Sequence, residues 1–544
     1  MDAQKVALGA AAAVSVGALA SAQNAWKAAA LRESALNRSL GLKAEDIVII
    51  GCGISGICMG IKLKEAGIPF VIIEKESDIG GTWFLNRYYG AACDVPAHLY
   101  SFSFMRKMDW SVPYAPQKEI HAYLTSVVEK YDLRKHIRFN TALDHAEWAE
   151  DEKRWHMALS DGSVLEPRFM INCIGALHYA NIPNVPGVES FEGDAFHTAE
   201  WRDDYDFRGK RVALIGSAAS AVQVAPELAR QASKLTILQR TPNWISPRTM
   251  GVLPREKYSD FQKWLFTNVP GAELLHRGSI YMLLEAYFML GVFDKSGPAQ
   301  AVAQKIIRDS MHHELRGRPD LIEKVVPKFN VGCKRICRTD EFLPTLRRDN
   351  VELIAAGLGR VEPDGVVDAN GDKHEADVIV YATGFKVGSL GLARITGANG
   401  FSVTGSDIAE NAVEAYLGTS INKMPNSFML LGPNTGLGHN SIIAMIESQA
   451  NYTTRMISEA IDNGIERVEV KPASVSKYYD WVWKKFEKRV WTKDCGSWYL
   501  NKDGKVFSLW PESTLTYFRM LDRAPSLLHD YDVAYKSGAQ PARL

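Results

Sequence analysis

Twice in this chain an apolar run too short for a helix breaks at a glycine-bearing turn. Ile47 to Gly56 reads IVIIGCGISG, and Arg211 to Ala221 reads RVALIGSAASA. A buried run of four or five residues bounded by glycine marks a parallel strand covered on both faces, and the turn delivers that strand into a helix. In the first copy Gly51 permits the tight turn, Gly53 lets the backbone approach a pyrophosphate, and Gly56 lets helix and strand pack closely. Ile57 to Ala66 reads as the helix, Gly67 to Pro69 as a turn and Phe70 to Ile73 as the second strand. Glu74 closes that strand 23 positions after Gly51, where a carboxylate accepts hydrogen bonds from a ribose 2′-hydroxyl. The spacing predicts a dinucleotide with that hydroxyl free, FAD or NAD.

The second copy departs from the first. Val212 to Ile215 is the strand, Gly216, Ser217, Ala218 and Ser220 make the turn, Ala219 to Arg230 is the helix and Leu235 to Leu238 the next strand. Ala221 is an accepted substitute at the third glycine, but Ala218 puts a methyl where the backbone should approach the pyrophosphate. The second strand runs into Gln239-Arg240-Thr241, so a base stands where Glu74 stands in the first copy. A guanidinium there binds a 2′-phosphate bidentately, which favours NADPH over NADH; an arginine capping a strand at the surface is the alternative. The fold expected is α/β, with two Rossmann-like dinucleotide-binding domains and a helical insertion in the second.

At 544 residues, 46% apolar and 23% charged, the chain has room for two or three domains with sizeable cores. Formal net charge is zero, which argues against a nucleic-acid partner and for small molecules. Seven cysteines, odd in number and without C-x-x-C, argue against a disulfide framework or zinc site. Cys333 and Cys337 share helical spacing but lack a neighbouring ligand, so no metal is expected. A reducing compartment fits best.

The expected layout is an N-terminal apolar segment and helical arm (1–44, with Gln23 to Leu40 as the arm), a first domain over 45–186, a second over 187–375, and a last stretch over 376–544. Tyr123 to Tyr131 reads as a helix, and Trp148 to Leu159 with Val164 to Ile174 as a strand excursion around Asp161-Gly162. Gly175 to Gly187 reads as a linker, and Lys257 to Asp320 as the helical insertion, about 250–330. Within it Ile280 to Phe293 is apolar except for Glu285 and is expected as a buried helix or substrate-tunnel wall.

Between the two glycine turns lies Phe191 to Arg202, FEGDAFHTAEWR. Its Phe191, Gly193, His197 and Trp201 resemble the F-x-G-x-x-x-H-x-x-x-W signature of Baeyer-Villiger monooxygenases. Arg202 stands where that family places Pro or Asp. Gly80-Gly81-Thr82-Trp83, running on through Asn86, Tyr88 and Gly90 to Asp94, resembles the family's second signature, with Tyr89 in place of Pro. The resemblance continues through Asp94 to Phe104 and Tyr114 to Gln117, and covers about residues 45 to 520. It implies FAD at the first turn, held by Gly51, Gly53, Gly56, Glu74, Gly81, Thr82, Trp83, Asn86, Asp94 and Tyr100. It implies NADP at the second, held by Gly216, Ser217, Ala218, Ser220, Arg240, Thr241 and Lys334. Gly332-Cys333-Lys334-Arg335 matches the family's Lys-Arg pair, so Arg335 is implied in the active site with Asp94 positioning it. His197 and its neighbours would couple domain movement to the flavin. Asp377 to Phe385 resembles the strand re-entering the flavin domain. Leu430 to Ser441, Cys495 to Tyr499 and Leu509 to Pro511 resemble the branch containing 4-hydroxyacetophenone monooxygenase, with His439 in a structural role beside the flavin.

The function implied is conversion of a ketone and O2 to an ester or lactone at the expense of NADPH, through a flavin C4a-peroxide. Two other readings stand beside it: a heteroatom-oxidising flavin monooxygenase, suggested by Arg202, and a flavin-binding redox partner without turnover, suggested by Ala218. Val6 to Trp26 carries no charge and reads as a signal peptide, a weak membrane anchor or a plain apolar helix. Export would cut the enzyme off from reduced nicotinamide, so an intracellular location is expected, with weak association to a membrane or organelle through residues 6–26. Ala542-Arg543-Leu544 resembles a peroxisomal address.

Overall fold

The two apolar runs become the central strands of two separate parallel sheets. The computed structural model describes residues 42–248, 253–254, 256–387, 393–404, 407, 413–491, 496–524 and 527–536. In the first sheet the order is Ser427–Met429, Phe169–Asn172, Ile47–Ile50, Val71–Ile73, Ile137–Arg138, with every neighbouring pair parallel. In the second it is Val351–Ile354, Lys234–Leu238, Arg211–Ile215, Val378–Tyr381, Asp194–His197, again parallel throughout. Ile47 to Ile50 are all buried, as a strand covered by structure on both faces requires. The glycine turns lead into helices Ile54–Glu65 and Ala219–Gln231.

The chain leaves the first sheet after Phe169–Asn172, builds the second, and returns to lay Ser427–Met429 beside Phe169–Asn172. Helix Ile442–Asp462 then packs on Ile54–Glu65 and closes the first unit. The insertion comprises helices Asp260–Asn268, Ala272–Met289, Pro298–Glu314 and Pro319–Val325.

Several boundaries move. The first turn's helix begins at Ile54, because Gly53 is already its N-cap. The helix expected from Tyr123 begins at Gln117, straight after Pro116. Trp148 to Leu159 is not one strand: the chain reverses after Ala149, pairing Leu143–Ala149 antiparallel with Arg154–Leu159, and Lys153 takes the left-handed turn conformation at φ 54°. Phe169–Asn172 leaves that hairpin for the first sheet. Val378–Tyr381, expected as the return to the first domain, is a strand of the second sheet paired with Arg211–Ile215. A fully buried parallel run suits either sheet, so its sequence could not choose.

Among the described residues, Cys52, Cys58, Cys93, Cys173 and Cys337 are free and buried. Cys333 is disulfide-bonded, which corrects the expectation drawn from an odd and scattered set, because sequence spacing says nothing about approach across a fold. Helix Ala272–Met289 is only half-buried, with Met282 and Met289 facing out, which corrects the expectation of a buried helix. No helix among the described residues is long and apolar enough to cross a membrane. The N-terminal run, its helical arm and Ala542-Arg543-Leu544 lie outside the described residues.

Candidate active site

The first glycine turn is tight for reasons that can be read atom by atom. Gly51 has φ +96°, and a Cβ on it would lie 2.9 Å from the Cys173 carbonyl oxygen. A Cβ on Gly56 would lie 1.9 Å from the Gly51 carbonyl oxygen, so the helix sits on the turn with no room for a methyl. A Cβ on Gly53 would instead lie 3.6 Å from the Gly81 Cα, so two bare backbones are opposed. Glu74 is buried beside them, its carboxylate accepting from the Cys52 amide at 2.6 Å and the Glu76 amide at 2.9 Å. Burial pushes its carboxyl upward, against those two hydrogen bonds.

Gly81 caps the short helix Thr82–Leu85 with φ 53°. Asn86 folds back to donate to the Thr82 carbonyl at 3.0 Å, and the Trp83 indole N–H donates to the Tyr100 hydroxyl at 3.1 Å. The Gln117 amide donates to the Trp83 carbonyl. Gly81, Thr82, Trp83, Asn86 and Tyr100 are thus joined by contacts opposite Gly53.

At the second turn Gly216 has φ +119°, and a Cβ there would lie 2.5 Å from the Ala382 carbonyl oxygen. Ala218 is the N-cap of the following helix at φ −92°, ψ −161°, and is exposed. Ser217 is buried, its hydroxyl donating to the Thr241 carbonyl at 3.3 Å, and Ser220 stands near the Tyr88 hydroxyl. Arg240 is exposed, its stem against Gly357, and Lys334 stands 5.4 Å over the Phe329 ring. Burial lowers the Lys334 ammonium, and the nearby Arg240 charge lowers it further. Neither base has a carboxylate within ion-pair distance among the described residues, so together they form an uncompensated positive corner at the strand end.

The two units meet at Asp94 and Arg335. The guanidinium donates from Nε to Oδ2 and from Nη2 to Oδ1, both at 2.5 Å, across 241 positions of chain. Burial pushes the Asp94 carboxyl up, but the Arg335 charge and its hydrogen bonds outweigh this and hold it below the usual range. Asp94 in turn raises Arg335 further still. Burial pushes the adjacent Cys93 thiol well up, and it stays protonated. The loop carrying Arg335 is pinned at both ends: the Trp491 indole N–H donates to the Gly332 carbonyl at 3.0 Å, and Cys337–Arg338 pairs with Ile245–Ser246.

The linking stretch is built into the same joint. A Cβ on Gly193 would lie 2.4 Å from the Asp377 carbonyl oxygen and 2.8 Å from the Phe191 ring. His197 ends the edge strand of the second sheet, fully buried, its Nδ1 accepting from the Ala199 amide at 3.1 Å. Burial pushes its pKa down to about 4, so the ring is neutral at ordinary pH. Trp201 packs edge-on against Tyr89 at 5.1 Å and Tyr88 at 6.5 Å, which belong to the Gly81 loop. Arg202 pairs at the surface with Asp194 at 2.7 Å, which gives this departure from the signature a local structural reason.

Three further residues, outside the site residues that the resemblance implies, belong to this joint. Gln223, on the second unit's helix, accepts from the Tyr88 hydroxyl at 2.8 Å and donates to the Ala92 carbonyl at 2.9 Å. Tyr499 lies within electrostatic reach of Arg335, its own hydroxyl pushed up to about 12 by burial. Glu285, read only as an interruption, is fully buried and accepts from Asn440 at 2.8 Å and the Thr514 hydroxyl at 2.6 Å, with His439 Nε2 at 3.3 Å. The His439 loop is thereby tied to the helical insertion, an attachment that spacing alone cannot reveal.

The FMO-like family, flavin-binding monooxygenase-like, matches residues 44–252. A Baeyer-Villiger monooxygenase of Pseudomonas aeruginosa is 36% identical, the match covering 90% of this chain and 93% of that protein. One from Streptomyces coelicolor is 34% identical over 91% and 93%. Among solved structures, cyclohexanone monooxygenase from Rhodococcus sp. Phi1 bound to NADP+ superposes with a TM-score of 0.79 at 28% identity, covering 90% of this chain and 99% of that one. OTEMO in complex with FAD and NADP gives 0.79 at 26% with the same coverage. With two parallel nucleotide-type sheets joined at a carboxylate-guanidinium pair and relatives matched over nearly its whole length, this chain belongs to the Baeyer-Villiger monooxygenase family.

Proposed function

We propose that the chain converts a ketone to an ester or lactone with O2, holding FAD at the first glycine turn and NADPH at the second. The observation that carries this reading is the bidentate Asp94–Arg335 pair at the meeting of the two units. The bare backbones of Gly53 and Gly81 suit a pyrophosphate, and Glu74 lies where an adenosine ribose would present its hydroxyls. Arg240 and Lys334 suit a 2′-phosphate, with Thr241 beside them. When bound, FAD supplies hydride acceptance from NADPH and the activation of O2.

In this reading Arg335 is a fixed cation where negative charge develops on the attacking oxygen and on the carbonyl oxygen. Such preorganised charge is the main stabiliser expected of a site of this kind. Asp94 occupies Nε and Nη2, which fixes the guanidinium plane and leaves Nη1 for the reacting oxygen. Neither group moves a proton, since Asp94 is held ionised and Arg335 protonated. Residues 45–186 with the chain beyond Tyr381 serve the flavin, and 187–381 serve NADPH. His197, neutral and buried beside the Trp201 contact with Tyr88 and Tyr89, is a positioning residue at that joint.

Arg335→Ala should still let NADPH bleach the flavin, while ester formation falls by about 3 kcal/mol or more, roughly a hundredfold. Stopped-flow absorbance and product analysis over a ketone panel separate the two effects. Retained ester formation would overturn the assignment. As part of the same reading, the uncharged run Val6 to Trp26 gives weak association with an intracellular membrane; a tagged chain equally diffuse with and without residues 1–40 would refute it.

A further inference from the structure

Helix Ala272–Met289 carries its charges on the side away from water. Its three permanently ionisable residues are Glu273, Arg277 and Glu285, and all are turned inward. Glu273 is buried against Arg106 and His98, Arg277 donates to the carbonyls of His98 and Ser101, and Glu285 is enclosed by Asn440 and Thr514. The outward stripe holds none. Leu275, Met282 and Met289 follow one another at seven-residue intervals, with Leu290 beyond them, and the four are 44–70% exposed. Gly278, Ser279 and Ala286 occupy the positions between. In the preceding helix Phe261 and Trp264, 68% and 54% exposed, stack on each other while Phe266 turns inward onto His276.

A single exposed leucine needs no explanation, but a cluster does. Of the fifteen exposed large hydrophobics among the described residues, nine fall between Phe261 and Leu290, so the surface is apolar here and ordinary elsewhere. We propose that this face of the helical hairpin rests on a lipid surface, with the helices lying flat. A helix of 18 residues with charges on one side is unfit to span a bilayer, yet an apolar outer face with an aromatic pair suits the headgroup and acyl boundary. One feature favours lipid over a second copy of the chain. Stable attachment to a membrane takes two weak anchors, and the chain has a second uncharged stretch in Val6 to Trp26. The inward face of the same helix reaches the His439 loop through Glu285, so the helix that would lie on lipid is also packed against a loop of the first unit. Charges flanking the hairpin nearly cancel, Glu256 and Asp260 against Arg255, Lys257 and Lys263, so attachment rests on apolar contact more than on anionic lipid.

The test is flotation of the full-length, FAD-loaded protein with phosphatidylcholine vesicles at low and high salt. The native chain should float in both conditions. The double variant Met282→Glu/Met289→Glu should float roughly tenfold less, with its FAD content and its NADPH-driven flavin reduction unchanged. The readout needs no ketone turnover, so it stands apart from the proposed reaction. Absence of flotation by the native chain, equal flotation by the variant, or a native dimer that the variant splits would each overturn the proposal.

Discussion

The two glycine turns reach the same geometry with different residues, and they differ only where packing allows. Both first glycines, Gly51 and Gly216, have positive φ, and a Cβ on either would strike the carbonyl at the end of a neighbouring strand. At the second position Gly53 and Ala218 nearly coincide, φ −77°, ψ −165° against φ −92°, ψ −161°. That is extended backbone open to any residue, so Ala218 imposes no conformational cost. At the third position they part: Gly56 has no space for a methyl, whereas Ala221 holds one fully buried. The strand ends part as well, with Glu74 buried among amides and Arg240 exposed beside Lys334. A fingerprint glycine is therefore demanded by local contact, position by position.

The largest effect should come from equalising the third positions. Gly56→Ala should cost on the order of 4 kcal/mol, because backbone must move to admit the methyl, and the purified protein should be insoluble or free of flavin by absorbance. Ala221→Gly should cost only about 1 kcal/mol. A Gly56→Ala protein with full FAD content would break the comparison.

Next in size is an effect at the joint, outside either turn. His197 titrates near 6.5 unfolded but at about 4 folded, so the unfolded chain binds the extra proton between those values. Its contribution is complete above 6.5 and is lost as pH falls toward 4. Chemical denaturation should show His197→Gln losing about 2 kcal/mol less than the native chain between pH 7 and pH 5. An identical pH dependence in both would show that the ring is not held neutral.

Smaller again is the contrast at the strand ends. Arg240→Ala should raise KM for NADPH roughly tenfold, about 1.5 kcal/mol, and leave KM for NADH unchanged in steady-state assays. A parallel rise for both cofactors would mean that Arg240 does not read the 2′-phosphate. The smallest effect belongs to Ala218→Gly, which should alter stability and KM for NADPH by at most about 1 kcal/mol. A large gain in NADPH affinity would show that the methyl obstructs the site after all.

What the sequence determined lies within a few residues of itself. Both central strands, both turns and their helices, and the contrast of Glu74 with Arg240 follow from periodicity and from the conformations that glycine permits, so they are legible in the amino-acid sequence alone. The tertiary structure decided what depends on approach across long stretches of chain. It placed Val378–Tyr381 in the second sheet, set Gln223 between Tyr88 and Ala92, and gave Glu285 to Asn440 and His439. It also decided that Leu275, Met282 and Met289 face outward while Glu273 and Glu285 face in. Local spacing selects backbone geometry, but which face of an element is buried is settled by the surfaces that come to lie against it. A charge inside an apolar helix reads as an interruption until its partner arrives from elsewhere in the chain.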